Sequence, residues 1–278
     1  MKKYLLFILL SIGIIIVVYL AVLLNKGVCP LNSGPVSKTI EYITAEKSDT
    51  LFKKASLLLK SRKDNEALVV YEEILSIEPA NIDALWGKAE VLRRRRDYVH
   101  SEDLLNQILK INPGHASSLI SLAYIKYKDA RLSEALQLVK RALKAEYLDN
   151  NNEALGYVML GMINSRRSQQ GWFFGKITYG MQIKRHFLKA KALASDLPEI
   201  SLALGTFYLL APAIAGGNLE DALKELDDAV KIAPDFATVN ARLAQAYRKK
   251  GDLDKYNFYL KKTRELDPEN EVLRELNI

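Results

Sequence analysis

An all-α solenoid of stacked helical hairpins is the fold this sequence predicts, on three observations. Pro79 and Pro113 stand 34 residues apart, and so do Pro234 and Pro268. A fixed period of this size marks the repetition of one supersecondary unit. Residues 204–234 show the unit whole: a Leu204-Gly205 pair in one apolar-periodic segment, a turn rich in Gly and Pro, then a second segment with Ala222, Leu226 and Ala229 on one face, stopped by Pro234. Two helices packed back to back need small residues where their axes approach and large ones beside them, and proline cannot continue a helix. The composition agrees, since 278 residues with 49% apolar and 26% charged side chains have the make-up of a folded chain.

At the N-terminus, Met1-Lys2-Lys3 precedes residues 4–24, which carry no charge and have Ser11 as their main polar interruption. At about 1.5 Å per residue that stretch spans roughly 31 Å, the thickness of a hydrocarbon core. A cleaved signal would carry a shorter apolar run and an Ala-x-Ala-like site, and the residues before Cys29 suit a lipid anchor poorly. Residues 1–25 therefore read as an uncleaved transmembrane helix. Lys2 and Lys3 against Lys26 favour a cytoplasmic N-terminus, with the remaining chain outside the cytoplasm. Residues 26–48, with Pro30, Gly34 and Pro35 and little apolar periodicity, read as a tether.

From residue 49 the units follow one another. The small-residue pair of the first segment appears as Leu122-Ala123, Leu160-Gly161, Leu204-Gly205 and Leu243-Ala244. The second segment shows Ala67, Tyr71 and Pro79, then Ala135, Val139 and Ala142, then Phe187 and Ala190, then Ala222, Leu226, Ala229 and Pro234. These marks resemble the tetratricopeptide repeat (TPR) family, in its membrane-anchored bacterial type. In that family a Leu-Gly/Ala pair opens helix A, and Ala, a large residue, Ala and Pro mark helix B. The resemblance covers about residues 49–268 in six copies and implies a right-handed solenoid over 49–278. Tyr256 and Thr263 replace the expected alanines in the last copy, and Val272, Leu273 and Leu276 suit a C-terminal capping helix.

The spacing from Pro113 to Pro234 exceeds three periods by 19 residues. About four fall at 149–153, about ten in the turn of the fourth copy around 169–180, and about five in the turn of the fifth around 210–216. Enlarged turns are therefore expected in the fourth and fifth copies, projecting from one edge. The fifth, LAPAIAGG at 210–217, locally resembles a segment of the T-component proteins associated with tripartite (TRAP) transporters.

Helices A of such a solenoid line its concave face. Carried onto this chain, the family's groove positions imply a partner-binding surface of Trp86, Glu90, Arg93, Ile120, Tyr124, Tyr127 and Arg166, with Phe52, Val158 and Met162 beside them. Aromatic side chains flanked by a few charges suit an extended peptide or a partner helix. The bland alternative is that Trp86 and the tyrosines only pack between helices. The subgroup that clamps a C-terminal carboxylate uses Lys and Asn in the groove, where Trp86, Glu90, Ile120 and Tyr124 stand here.

Charge is distributed unevenly. Between Glu153 and Asp196 there is no acidic residue, but there are Arg166, Arg167, Lys176, Lys184, Arg185, Lys189 and Lys191; this block accounts for the whole net charge of +7. Within it lies Gly171-Trp172-Phe173-Phe174-Gly175. Either this aromatic loop folds back on its own repeat, or Trp172, Phe173, Phe174 and Lys176 contact a partner or a membrane surface. The Arg93–Arg96 run sits at the end of a helix A, where cations suit the helix terminus, and without a broader basic stripe nucleic acid is not an expected partner.

Nothing catalytic assembles: there is no phosphate-binding glycine loop, no His-Glu-x-x-His and no Gly-x-Ser-x-Gly. One cysteine and three scattered histidines leave no metal-ligand spacing. The reading is a non-enzymatic, cofactor-free, membrane-tethered adaptor that binds protein partners outside the cytoplasm. The alternative is a ligand-binding component of a transport system, which would need an enclosed apolar cavity near Trp172 and Pro212.

Overall fold

The computed structural model describes the backbone of residues 35–170 and 173–276 and the side chains of residues 46–169, 180 and 182–276. The expected anchor at 1–25 lies outside these residues. The chain divides into a first unit, Met1–Lys47, and a compact second unit, Ser48–Ile278. Helix α1 spans Pro35–Lys60, so the later part of the stretch expected as a tether is helical. Its start suits Pro35, because a proline at the first helical position lacks only an N–H that the helix would leave unbonded there. No Gly or Pro follows before Lys60 to break it.

The second unit is a run of antiparallel hairpins. The end of α1 pairs with α2 (Asp64–Ile77), α3 (Ile82–Arg94) with α4 (Tyr98–Ile111), and α5 (Ala116–Lys128) with α6 (Leu132–Ala142). The fourth hairpin joins α7 (Asn150–Gln170) and α8 (Phe173–Leu193), the fifth α9 (Pro198–Leu210) and α10 (Leu219–Ile232), and the sixth α11 (Ala237–Lys250) and α12 (Leu253–Leu266). A short helix, α13 (Glu271–Glu275), closes the end; it buries Val272 and Leu273. Short polar side chains begin many of these helices. Asn81 accepts from the Ala84 N–H at 3.0 Å, and Asn218 from those of Glu220 and Asp221 at 2.9 and 3.3 Å. Each fills an orphan donor of the first turn.

The periodic marks occupy the helix contacts. Ala222, Leu226 and Ala229 are fully buried, as are Ala67 and Tyr71, and Ala135, Val139 and Ala142. A side chain at Gly205 would put its Cβ 2.7 Å from Leu226 Cγ, and one at Gly161 would collide with the Phe187 ring. The Leu-Gly pairs are therefore points of helix contact. In the last copy Thr263 is buried and its hydroxyl donates to the Tyr259 carbonyl at 2.8 Å, so the polar replacement is satisfied within its own helix.

The extra residues behave differently in the two enlarged copies. In the fourth, the expected enlarged turn is largely absent, because the insertion lengthens both helices to 21 residues. Residues 150–170 contain no proline, and their two glycines stand at close contacts, so nothing there ends the helix. In the fifth, the turn is enlarged as expected and carries a 3-10 turn, Ala213–Ala215. Gly216 holds φ +93°, and a Cβ on Gly217 would strike the Ala211 carbonyl. Both positions therefore require glycine.

The hairpin turns of copies one, two, three and six each place a residue in the left-handed region: Arg62, Arg96, Ala130 and Gly251. For the three that are not glycine this costs about 1–2 kcal/mol each. Two of them, Arg62 and Arg96, stand where the solenoid meets itself. The second unit curls until the turns of its first copies reach the linkers of its last ones. Lys60 pairs with Asp196, Arg62 with Glu199 at 2.6 Å, Arg96 with Asp267 at 2.7 Å, and Lys128 with Glu271 at 2.5 Å. Arg62 also lies 3.6 Å from the centre of the Phe236 ring. Exposed ion pairs such as those of Lys60, Arg96 and Lys128 contribute at most about 1 kcal/mol each and are screened by salt, whereas the Arg62–Glu199 pair is part-buried.

Gly205→Val should lower stability by about 1–3 kcal/mol, since Leu226 and the α10 backbone must move apart. Urea unfolding checks this, and a variant as stable as the parent would show that the helix contact is not at Gly205.

Candidate functional site

Curling leaves a groove of about 3260 Å³ inside the second unit, lined by the first helix of each hairpin. One side carries Leu155, Met162, Leu202, Phe207, Leu210 and Ile214. Leu210 is 52% exposed and Ile214 99% exposed at the tip of the fifth turn. The other side carries the aromatic and charged positions of copies one to three.

Those positions form a ladder across helices. Glu90, on α3, is buried, and its carboxylate accepts from Arg93 Nε at 2.8 Å and Nη2 at 2.5 Å, from Arg94 Nε at 3.1 Å, and from Ser121 Oγ at 2.9 Å. Burial alone would raise its pKa; Arg93, Arg94 and Ser121 outweigh burial and hold it far below the usual carboxylate range. Ser121 in turn accepts from Trp86 Nε1 at 3.1 Å. Arg93 lies over the Tyr124 ring, 4.1 Å from its centre. Arg166 of the fourth copy donates to the Tyr127 carbonyl at 2.8 Å and sits 5.2 Å from the centre of that ring. Burial raises the Tyr127 pKa. Ile120 is buried at the groove wall.

All seven groove positions read from the sequence are thus brought to one surface. Their polar groups are engaged within the solenoid: Trp86 through Ser121, Glu90 and Arg93 with each other, and Arg166 at the Tyr127 carbonyl. Trp172 lies outside the described residues. Phe173, Phe174 and Lys176 belong to the first turn of α8, and their side chains lie outside as well. Pro212 lines the groove.

Two sequence features look different in three dimensions. The acid-free block is not a bare basic face. Lys189 bonds the Tyr157 hydroxyl at 2.5 Å and pairs with Glu153 at 3.6 Å, Lys191 pairs with Glu225 of α10, and Arg166 is engaged as described. Acids missing along the chain arrive from neighbouring helices. The Arg93–Arg96 run is likewise consumed internally. Arg94 reaches the Leu59 carbonyl at 2.7 Å, Asp64 at 2.8 Å and Glu199 at 3.5 Å; Arg95 donates to Asn65, and Arg96 pairs with Asp267.

Sequence reasoning missed Arg62, Arg94 and Glu199, which meet at the groove edge. Arg62 is packed so closely that burial, then its neighbour Arg94, pulls its pKa down to about 10, and its Nε has no hydrogen-bond partner among the described residues. A signal did exist: Arg62 and Arg96 are one repeat apart, both at the turn position where the sixth copy has Gly251. Among the described residues no group of three or more His, Cys, Asp or Glu is placed to hold a metal ion.

Helical hairpins stacked around a side-chain-lined groove define a repeat solenoid. The Tetratricopeptide repeat family model matches residues 213–255, within the fifth and sixth hairpins. In structure the chain is similar to the APC/C hetero-tetramer Cut9-Hcn1, with a TM-score of 0.58 at 14% identity over 89% of this chain and 54% of that one. It is similar to a thermophilic TPR protein of Thermus thermophilus, with a TM-score of 0.54 at 22% identity over 70% of this chain and 96% of that one. These likenesses show the fold. In sequence it is 30% identical over 135 residues to the CTR9 homolog of Arabidopsis thaliana, which is 46% of this chain and 12% of that protein. It is 27% identical over 122 residues to the probable N-acetylglucosaminyltransferase SPINDLY of Petunia hybrida, 44% of this chain and 12% of that protein. The matches span about an eighth of these curated relatives.

Proposed function

We propose that this protein is a non-enzymatic scaffold whose groove holds an extended or helical segment of a protein partner. The size of the groove carries this reading. A volume of about 3260 Å³ is several times the roughly 300–1,000 Å³ that encloses a small molecule, which weighs against the ligand-carrier alternative. Its lining suits a segment with an apolar face: Leu155, Met162, Leu202 and Phe207 offer adaptable apolar contact on one side, and Tyr124, Tyr127 and the arginines offer the side chains that dominate interfaces on the other. The finer part of the proposal is a membrane tether formed by residues 1–25, with the solenoid outside the cytoplasm. The uncharged stretch behind Lys2 and Lys3 supports it. Among the described residues no helix is long and apolar enough to cross a membrane; residues 1–25 lie outside them.

Photo-crosslinking residues at Tyr124 and Phe207 in living cells should capture one discrete protein. The same residue at Val99, which is 71% exposed on α4, should not capture it. Tyr124→Ala should then lose the partner while leaving the thermal unfolding curve within a few degrees of the parent. Identical adducts from all three positions, or joint loss of partner and fold, would overturn the proposal. Protease added to intact cells after outer-layer permeabilisation should cleave the solenoid; protection until the inner membrane is broken would reverse the orientation.

A further inference from the structure

The seam that closes the groove is segregated by sign. Its cations, Lys60, Arg62, Arg94, Arg96 and Lys128, all come from copies one to three. Its carboxylates, Asp196, Glu199, Asp267, Glu269 and Glu271, all come from the fifth copy's entry and the end of the chain. Among the described residues no backbone–backbone hydrogen bond crosses it. None of the hydrophobic clusters spans it either: those holding copies one to three contain no residue beyond Ile163, and those holding the far side contain none before Ala154. Besides its ion pairs, the contacts across the seam are Arg62 over the Phe236 ring and Arg96 Nη2 donating to the Glu269 carbonyl at 3.3 Å, so every contact named uses a cation of copies one to three.

Two of the left-handed turn positions stand at the seam, in the place that Ala130 and Gly251 hold in copies three and six. Arg62 and Arg96 hold φ of +64° and +65°, and each spends its guanidinium on the opposite side of the seam. By contrast, the helices inside each half are held by buried apolar side chains, which salt does not screen.

We propose that the seam is an electrostatic clasp, and that the solenoid exists in a closed and an open form distinguished by these pairs. Opening breaks the seam's ion pairs, those of Lys60, Arg96 and Lys128 at the surface and those of Arg62 and Arg94 part-buried, and leaves every hairpin core intact. It also exposes the groove along its length. For the partner reading above, on which this consequence rests, a segment in the middle of a folded chain has no free end to thread and enters only through the open clasp.

The test needs no partner. In the full chain with Cys29→Ser, nitroxide labels at Lys63→Cys and Ser195→Cys flank the seam without using its charges, and pulsed electron resonance reads the distance between them. At roughly 0.01 M salt one short distance is expected; at about 1 M, where charges are screened beyond roughly 3 Å, a second, longer population should appear. Arg96→Gln with Lys128→Gln should show the long population already at low salt. Exchanging the signs of one pair, Lys60→Glu with Asp196→Lys, should keep the short one. A single short distance in both salts, and in the double variant with parental helical circular dichroism, would overturn the clasp and leave the groove reading standing. A groove that captures no protein would leave the clasp standing.

Discussion

The buried carboxylate of Glu90 is the constraint on which the first half of the solenoid depends. A buried charge left alone is costly, and removing one partner from a buried pair costs about 3–5 kcal/mol. Glu90 is tolerated because three side chains converge on it: Arg93 and Arg94 from its own helix, and Ser121 from the next copy. Each of these then reaches further. Arg94 ties α3 back to Leu59 and Asp64 and forward to Glu199, while Arg93 stacks on Tyr124 and Ser121 holds Trp86. One carboxylate therefore fixes the relation of copies one, two and three and aims an arginine at the seam.

This arrangement connects packing to function. The repeat supplies curvature through small residues at helix contacts, and the groove follows from curvature. Within the groove the polar side chains near Glu90 are spent on internal bonds, so they give stiffness and shape. The side chains left available lie elsewhere: the apolar wall of copies four and five, the exposed Leu210 and Ile214, and the outer faces of Tyr124 and Tyr127. A stiff half facing an adaptable half, joined by a charge seam, is a reasonable design for holding a segment of another protein.

Features that recur with the 34-residue period were legible in the sequence. The alanines and Leu-Gly pairs carry the helix contacts, and their periodic placement follows from the geometry of a hairpin. The places of the insertions in the fourth and fifth copies were legible too, from spacing alone. Conformation was not, because a ten-residue insertion without proline can lengthen two helices as readily as it can enlarge a turn. The apparent tether was read from Pro30, Gly34 and Pro35, yet Pro35 begins a helix. The charge pairing was the least legible. Arg62 and Glu199 are 137 positions apart, and no local pattern specifies which of 33 acidic residues an arginine in a turn will meet. Only the repeated Arg62 and Arg96, at a position that favours glycine, set these turns apart.

Small-angle X-ray scattering of residues 48–278 with Glu90→Gln, beside the parent at low salt, tests most directly whether this carboxylate sets the shape. The account requires a larger radius of gyration for the variant with helical circular dichroism unchanged, because Arg94 loses the charge that aims it and the hairpin cores do not. Superimposable scattering curves from two equally folded proteins would contradict it, and would place the origin of the curvature in the apolar helix contacts alone.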